Sequence, residues 1–277
     1  MSFDDGVRER FQRDGFVVFP DLVPRQRCAA LRAHVHDLVS RVDPDEHRSV
    51  FTTNEQTRTS DEYFLASGDR VSYFWEDEAL DANGKLIAPK HQAINKLGHA
   101  MHDLDPVFDQ FSRAPELADI SVRLGMRDPR MLQSMYIFKA PGIGGEVVLH
   151  QDATFLRTEP PSVIGLWFAL ENADRTNGCL WAVPGAHRAG VHRFFRRTVD
   201  GGTEFVGDDC PLPREGEIPF EVTEGTVIAI HGCLPHRSDA NRSDRSRAAY
   251  TLHLIEADLP YAADNWLQRP NLPLRGF

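Results

Sequence analysis

Cysteine is scarce in this chain: only Cys28, Cys179, Cys210 and Cys233 occur among 277 residues, each standing alone. That spacing builds neither a paired structural zinc site nor a disulfide scaffold, and it suits a reducing compartment. Long apolar runs are missing too, since nothing approaches the ~20 residues that cross a bilayer. Residues 1–5 carry neither the basic flank nor the apolar stretch of a signal peptide. The final Arg275-Gly276-Phe277 is not a peroxisomal address. A soluble cytoplasmic protein with no membrane partner is expected. Positive charge is in short supply, because 31 Lys and Arg face 41 Asp and Glu for a net charge of −10. A polyanion such as nucleic acid is therefore excluded as the main partner. No internal repeat or low-complexity tract is visible, which removes solenoids and linker-joined arrays.

What remains is ordinary globular composition, with 41% hydrophobic and 26% charged residues, and a length that suits one domain spanning residues 1–277. Residues 16–19 read as a short strand closed by Pro20. Behind Pro24, the positions Cys28, Leu31, Val35, Leu38, Val39 and Val42 recur at helical spacing and predict a helix over 25–42. Another helix is expected over about 91–104. The polar stretch from Asp43 to Asp61 and the Gly- and Asp-rich stretch from Asp200 to Asp209 read as loops able to cover a pocket. Beyond Arg130 the texture changes to short β-rich runs at 132–139, 147–149, 163–170, 180–183, 226–230 and 247–256, separated by Gly, Pro and Asn. The expected fold is mainly β with flanking helices, a sandwich or distorted barrel. Its helical part covers about 1–130 and its β core about 131–257.

Chemistry concentrates in two places. In Leu149-His150-Gln151-Asp152, the two-residue period of a strand would point His150 and Asp152 to one side. A third ligand from a distant strand would complete the arrangement of two histidines and one carboxylate that leaves half of an Fe(II) coordination sphere open. An isolated His-x-Asp pair is more often a hydrogen-bonded surface dyad, so the remainder of the chain decides. Downstream, the apolar run from Gly225 to Ile230 opens into a turn carrying His231 and His236, and spacing alone permits either as the third ligand. Arg245 and Arg247 follow. A planar guanidinium that stays charged on partial desolvation is a suitable anchor for a dicarboxylate.

Together these segments resemble the phytanoyl-CoA dioxygenase family, a branch of the Fe(II)- and 2-oxoglutarate-dependent oxygenases. The resemblance runs from about Phe11 to Trp266. It is carried by residues 14–19, 94–100, 133–139, 145–152 and 177–187 and by the segment from His236 to Arg247. It implies a double-stranded β-helix, the jelly-roll or cupin-like core, buttressed by N-terminal helices. By motif position, it implies that His150, Asp152 and His236 bind the metal and act in catalysis, selecting His236 over His231. Arg247, eleven residues beyond His236, would hold the far carboxylate of 2-oxoglutarate, with Arg245 as a substitute of the same strand parity. Ser238, Lys96, Trp167, Met135 and Gln151 are the further co-substrate contacts that it implies. The remaining iron sites would take 2-oxoglutarate and O₂. An aliphatic C–H of a small-molecule or acyl substrate would be hydroxylated, with release of succinate and CO₂; desaturation, ring closure or epimerisation would use the same ligands. A carboxylate at Asp152 argues against halogenation, in which a small residue leaves room for halide.

An acyl-CoA would want a basic docking surface, for which residues 192–197 are the candidate; such a run is more often a solvated face, so acyl-CoA is not favoured, and a smaller or less charged substrate is equally compatible. Two readings from other classes stay open at this level. One is a zinc hydrolase or isomerase on a cupin-like scaffold. The other is a binder that has kept the fold without turnover.

Overall fold

The computed structural model describes residues 6–44, 50–51, 62–81 and 85–277. The stretch from Asp43 to Asp61, expected to be a loop, lies for the most part outside the described residues. Two sheets face each other. The major sheet runs in the order Phe16–Phe19, Val227–His231, Ile164–Ala169, Ala249–Glu256, Pro129–Ile137, Ile94–His99, Val71–Glu76 and Val50–Phe51. The minor sheet runs Ile218–Phe220, Leu180–Ala182, His236–Ser238 and Val147–His150. Pairing is antiparallel except where Val50–Phe51 lies parallel to Val71–Glu76. This is the expected jelly-roll arrangement, mainly β and open at its edges.

The central strands Ile164–Ala169 and Ala249–Glu256 are buried along their whole length, because each covers a different core with alternate residues. Leu166, Phe168, Tyr250 and Leu252 face the helices. Trp167, Ala169 and Ala249 face inward and share a cluster with Leu180 and Ala182 of the minor sheet. On the helical side, Arg25–Arg41 buries Cys28, Leu31, Val35 and Val39, the stripe that its spacing predicted. Proline at the first turn starts both Pro106–Ser112 and Pro115–Arg123, and the Asp105 carboxylate caps the former by accepting from the amides of Val107 and Phe108. Phe108 and Phe111 then pack on Tyr250 and Phe168 with ring centroids 4.9 and 5.2 Å apart. Truncating one such buried ring to alanine costs about 3–5 kcal/mol.

The helix expected over 91–104 does not form. A single turn Lys90–Ala93 gives way to the strand Ile94–His99 and then to another turn, Met101–Leu104. Ile94, Leu97 and Met101 fit a helical stripe, but a strand buried on both faces shows no alternation by which to distinguish it. Pairing on each side, with Val71–Glu76 and with Pro129–Ile137, favours the strand. The first 130 residues therefore contribute strands to the major sheet as well as helices. Likewise, the stretch Asp200–Asp209 is largely the strand Thr203–Gly207, one arm of a hairpin with Arg193–Arg197, and not an irregular lid.

The C-terminal tail is fastened through charge. Asp103 is fully buried and receives Arg113 at 2.6 Å, Arg275 at 3.3 Å and Arg269, which draws residues 269–275 onto the turn Met101–Leu104.

Candidate active site

The strand Val147–His150 ends at His150, and Asp152 opens the one-turn helix Asp152–Phe155. Gln151 between them is itself extended, with φ −120° and ψ 135°, so the two-residue alternation carries through to Asp152 and places this pair on one side. Gln151 is fixed in turn because its side-chain amide donates to the carbonyls of Gly190 at 2.8 Å and Cys233 at 2.6 Å. Gln151 is thus turned toward backbone and is not brought to the other co-substrate candidates. His236 begins the neighbouring strand and is the direct cross-strand partner of His150. Their ring centroids lie 4.3 Å apart. One ligand atom each from His150, Asp152 and His236 falls within 4.8 Å of the others. The Nε2 atoms of both histidines lie 3.8 Å from Oδ1 of Asp152.

Tautomers follow from the backbone. Nδ1 of His150 donates to the Val148 carbonyl at 2.8 Å, and Nδ1 of His236 donates to the Leu234 carbonyl at 3.0 Å. A carbonyl can only accept, so both protons sit on Nδ1 and both Nε2 lone pairs face the shared space. Burial pushes the His150 imidazole down to about 4, helped by the neighbouring His236. Burial works to raise the Asp152 carboxyl, but the surrounding imidazoles of His253, His236 and His150 outweigh it and hold it below its usual value. Neutral imidazole beside an ionised carboxylate is the protonation state that a divalent metal requires.

His231 is placed elsewhere. Its Nδ1 accepts from the Cys233 amide at 3.1 Å, and its ring packs on His187 and Phe11 with centroids 4.9 and 5.7 Å away. Of the two histidines that spacing allowed, the geometry brings only His236 to the pair.

The candidate co-substrate residues spread over the inner face of the major sheet. Met135, Thr251 and Trp167 form one cross-strand row, and Lys96, Ile137, Ala249 and Ala169 the next. Lys96 is buried, with Nζ 5.4 Å from the Phe74 ring, and burial lowers its pKa well below that of an ordinary lysine against the pull of Glu76. Arg247 is 1% exposed, donates from Nε to the Gly178 carbonyl at 3.1 Å and lies 5.5 Å from the Trp167 ring. Ser238 pairs with Leu180, two residues beyond Gly178. Nη1 of Arg247 and Oγ of Ser238 are buried without a hydrogen-bond partner among the described residues. Two unpartnered donors of this kind are costly unless an acceptor meets them, and a carboxylate is the acceptor that matches both. Arg245 is half exposed and bonded to Asp174 at 2.6 Å, so the geometry does not offer it as a substitute.

Three inward residues were missed: Gln133, which opens the segment 133–139 but was given no role, and Thr251 and His253, which carry no motif. Strand parity could have found the last two, because Arg247, Ala249, Thr251 and His253 alternate toward one side. Oγ1 of Thr251 and Nδ1 of His253 also lack a partner among the described residues, and Nε2 of His253 lies 3.4 Å from Oδ2 of Asp152. The three arginines of residues 192–197 are paired with the protein's own groups, Arg193 and Arg196 in exposed ion pairs. Arg193 pairs with Asp209 at 2.5 Å, Arg196 with Glu204 at 2.7 Å, and Arg197 donates to the carbonyls of Trp266 and Leu65.

The family model described as phytanoyl-CoA dioxygenase matches residues 11–249. A phytanoyl-CoA dioxygenase of Arabidopsis thaliana is 42% identical over 264 residues, covering 95% of this chain and 93% of that protein. Phytanoyl-CoA dioxygenase domain-containing protein 1 of Bos taurus is 42% identical over 276 residues, covering 96% and 95% respectively. Among solved structures, the epimerase SnoN in complex with Fe3+, alpha ketoglutarate and nogalamycin RO superposes with a TM-score of 0.65 at 16% identity, covering 96% of this chain and 90% of that one.

Proposed function

We propose, from the premise that this chain belongs to the phytanoyl-CoA dioxygenase family of iron- and 2-oxoglutarate-dependent oxygenases, that it oxidises an aliphatic C–H of a small-molecule substrate, with hydroxylation as the outcome. His150, Asp152 and His236 would hold Fe(II), and Arg247 and Ser238 would receive the far carboxylate of 2-oxoglutarate, within walls that include Lys96, Met135 and Trp167. The observation that carries this reading is that Nη1 of Arg247 and Oγ of Ser238 are both buried and unpartnered among the described residues, in a fold that converges three ligand atoms on one space. A zinc hydrolase has no use for such an anchor.

Bound iron supplies the activation of O₂ that couples decarboxylation of 2-oxoglutarate to substrate oxidation. The protein's own contribution is arrangement. The Val148 and Leu234 carbonyls hold the two ligand imidazoles in the metal-binding tautomer. Gln151, held by the Gly190 and Cys233 carbonyls, fixes the extended backbone that carries Asp152 beside His150. Arg247 retains its charge while desolvated, and Trp167 covers it against water, so an incoming carboxylate meets a guanidinium in a low-dielectric setting. An intact Asp152 occupies the position that a halide would need. The pairing of Arg193, Arg196 and Arg197 with the protein's own groups supports a substrate without a CoA moiety.

Anaerobic addition of Fe(II) and 2-oxoglutarate should give a weak visible charge-transfer band that is lost in Asp152→Ala and His236→Ala. Conversion of 2-oxoglutarate to succinate, screened against metabolite fractions, then tests activity and substrate together. Absence of the band in the unmodified protein would overturn the reading.

A further inference from the structure

The two oxygens of the Asp152 carboxylate meet different surroundings. Oδ1 faces the Nε2 atoms of His150 and His236, each at 3.8 Å, and Oδ2 faces Nε2 of His253 at 3.4 Å. His253 is 5% exposed and sits in the interior of the strand Ala249–Glu256. Its Nδ1 has no partner among the described residues. A neutral imidazole carries one N–H, and placing it on Nε2 gives a buried carboxylate oxygen a donor, whereas placing it on Nδ1 satisfies nothing.

The backbone beneath is shaped for this contact. Gly165 is the cross-strand partner of His253. A Cβ at Gly165 would lie 3.0 Å from Oδ2 of Asp152 and 3.5 Å from Cδ2 and Nε2 of His253. Its φ lies outside the positive range that favours glycine, so the missing side chain serves space and not conformation. Glycine inside a central strand is unfavourable unless another group must approach closely. Here the carboxylate and the imidazole meet directly over it.

We propose that His253 is a positioning residue: its Nε2–H engages Oδ2 of Asp152, so that the carboxylate presents Oδ1 alone to the metal. Without that donor the carboxylate is free to rotate, and Oδ1 is no longer held toward the Nε2 atoms of His150 and His236. The assignment rests on the iron-oxygenase reading and names a residue outside its ligand and anchor set.

The test uses the metal-free full-length protein, titrated calorimetrically with Co(II), and the Fe(II)–2-oxoglutarate band as a second readout. His253→Leu keeps bulk and removes the donor, whereas His253→Gln returns an N–H near Nε2. Outer hydrogen bonds of this kind shift metal affinity by roughly 10- to 100-fold. The leucine variant should weaken Co(II) binding by about that factor and displace the band, while the glutamine variant should stay within about 3-fold of the unmodified protein. Equal affinity and an unmoved band in the leucine variant would overturn the role of His253 and leave the oxygenase reading intact. No Co(II) binding in the unmodified protein would instead overturn that reading. Should the leucine variant not fold, nitrogen-15 NMR of histidine-labelled unmodified protein decides, with the His253 signal assigned by its loss in the glutamine variant. An Nε2–H tautomer is expected, and an Nδ1–H tautomer would refute the proposal.

Discussion

Replacing Arg247 by methionine should separate stability from co-substrate binding. In the ligand-free protein the guanidinium is costly: burial pushes its pKa down to about 10 against the pull of Cys179 and Glu171, and Nη1 finds no partner among the described residues. An unsatisfied buried donor of this sort costs about 1–3 kcal/mol. Methionine removes that cost but forfeits the hydrogen bond to Gly178, about 1 kcal/mol, and the contact with Trp167, about 0.5–2 kcal/mol. The opposing effects nearly cancel, so ligand-free stability should move by no more than about 1–2 kcal/mol, a melting shift of roughly 2–4 °C. Binding has no such compensation. Losing the guanidinium opposite a desolvated carboxylate costs about 2–5 kcal/mol, which weakens 2-oxoglutarate affinity by roughly 30- to several-thousand-fold. Calorimetric titration of the Co(II)-loaded protein with 2-oxoglutarate measures the second quantity, and thermal melting without ligand measures the first. Affinity retained within about 3-fold would refute the anchor, and a ligand-free melting point lower by more than about 10 °C would refute the cancellation.

Three further outcomes follow from the same contacts. Asp103→Asn should destabilise the protein by about 3–5 kcal/mol, because it strands Arg269 without its buried acid. Burial would raise this carboxyl, but His102 and Arg269 hold it below its usual 3.8. Its contribution is therefore present above about pH 4 and lost as pH falls toward the folded-state value, so the gap in melting temperature between variant and unmodified protein should narrow on acidification; a constant gap would refute it. His231→Gln should leave Co(II) affinity within about 2-fold, while His236→Gln should lower it at least about 100-fold; reversed effects would exchange the two histidines. Gly165→Ala should weaken Co(II) binding by about 10-fold, since the added Cβ falls 3.0 Å from Oδ2 of Asp152. Unchanged calorimetric affinity would show that the carboxylate tolerates the methyl group.

Legibility from sequence followed the number of constraints that act on each residue locally. The helix Arg25–Arg41 was readable because only one of its faces is buried, leaving a polar remainder that exposes the period. The strand Ile94–His99 was not, because neighbours on both sides and cores on both faces erase alternation. Lys96, named as a co-substrate contact by the resemblance alone, therefore fell within the expected helix, although it is a buried strand residue. His150 and Asp152 were paired on the two-residue period of a strand, and that period holds even though the strand ends at His150, because Gln151 stays extended before the turn Asp152–Phe155 begins.

His253 marks the other boundary of what a single sequence discloses. The candidate ligand histidines are marked by their neighbours in sequence, since His150 has Asp152 two residues away and His236 stands at a strand start after an apolar run. A residue that acts by holding a ligand needs only to be close in space. The Cα partner Gly165 lies 88 positions from His253 in the chain, and Asp152 lies 101 positions away. The one local trace is parity with Arg247, and it becomes meaningful only once the direction of that strand's inner face is known. Gly165 carries a complementary trace, a glycine without a turn inside a β-branched and aromatic run, which reads as a place where something must come close. Neither trace names the other. They converge in the folded sheet, where register places the imidazole opposite the gap and the Asp152 carboxylate between them.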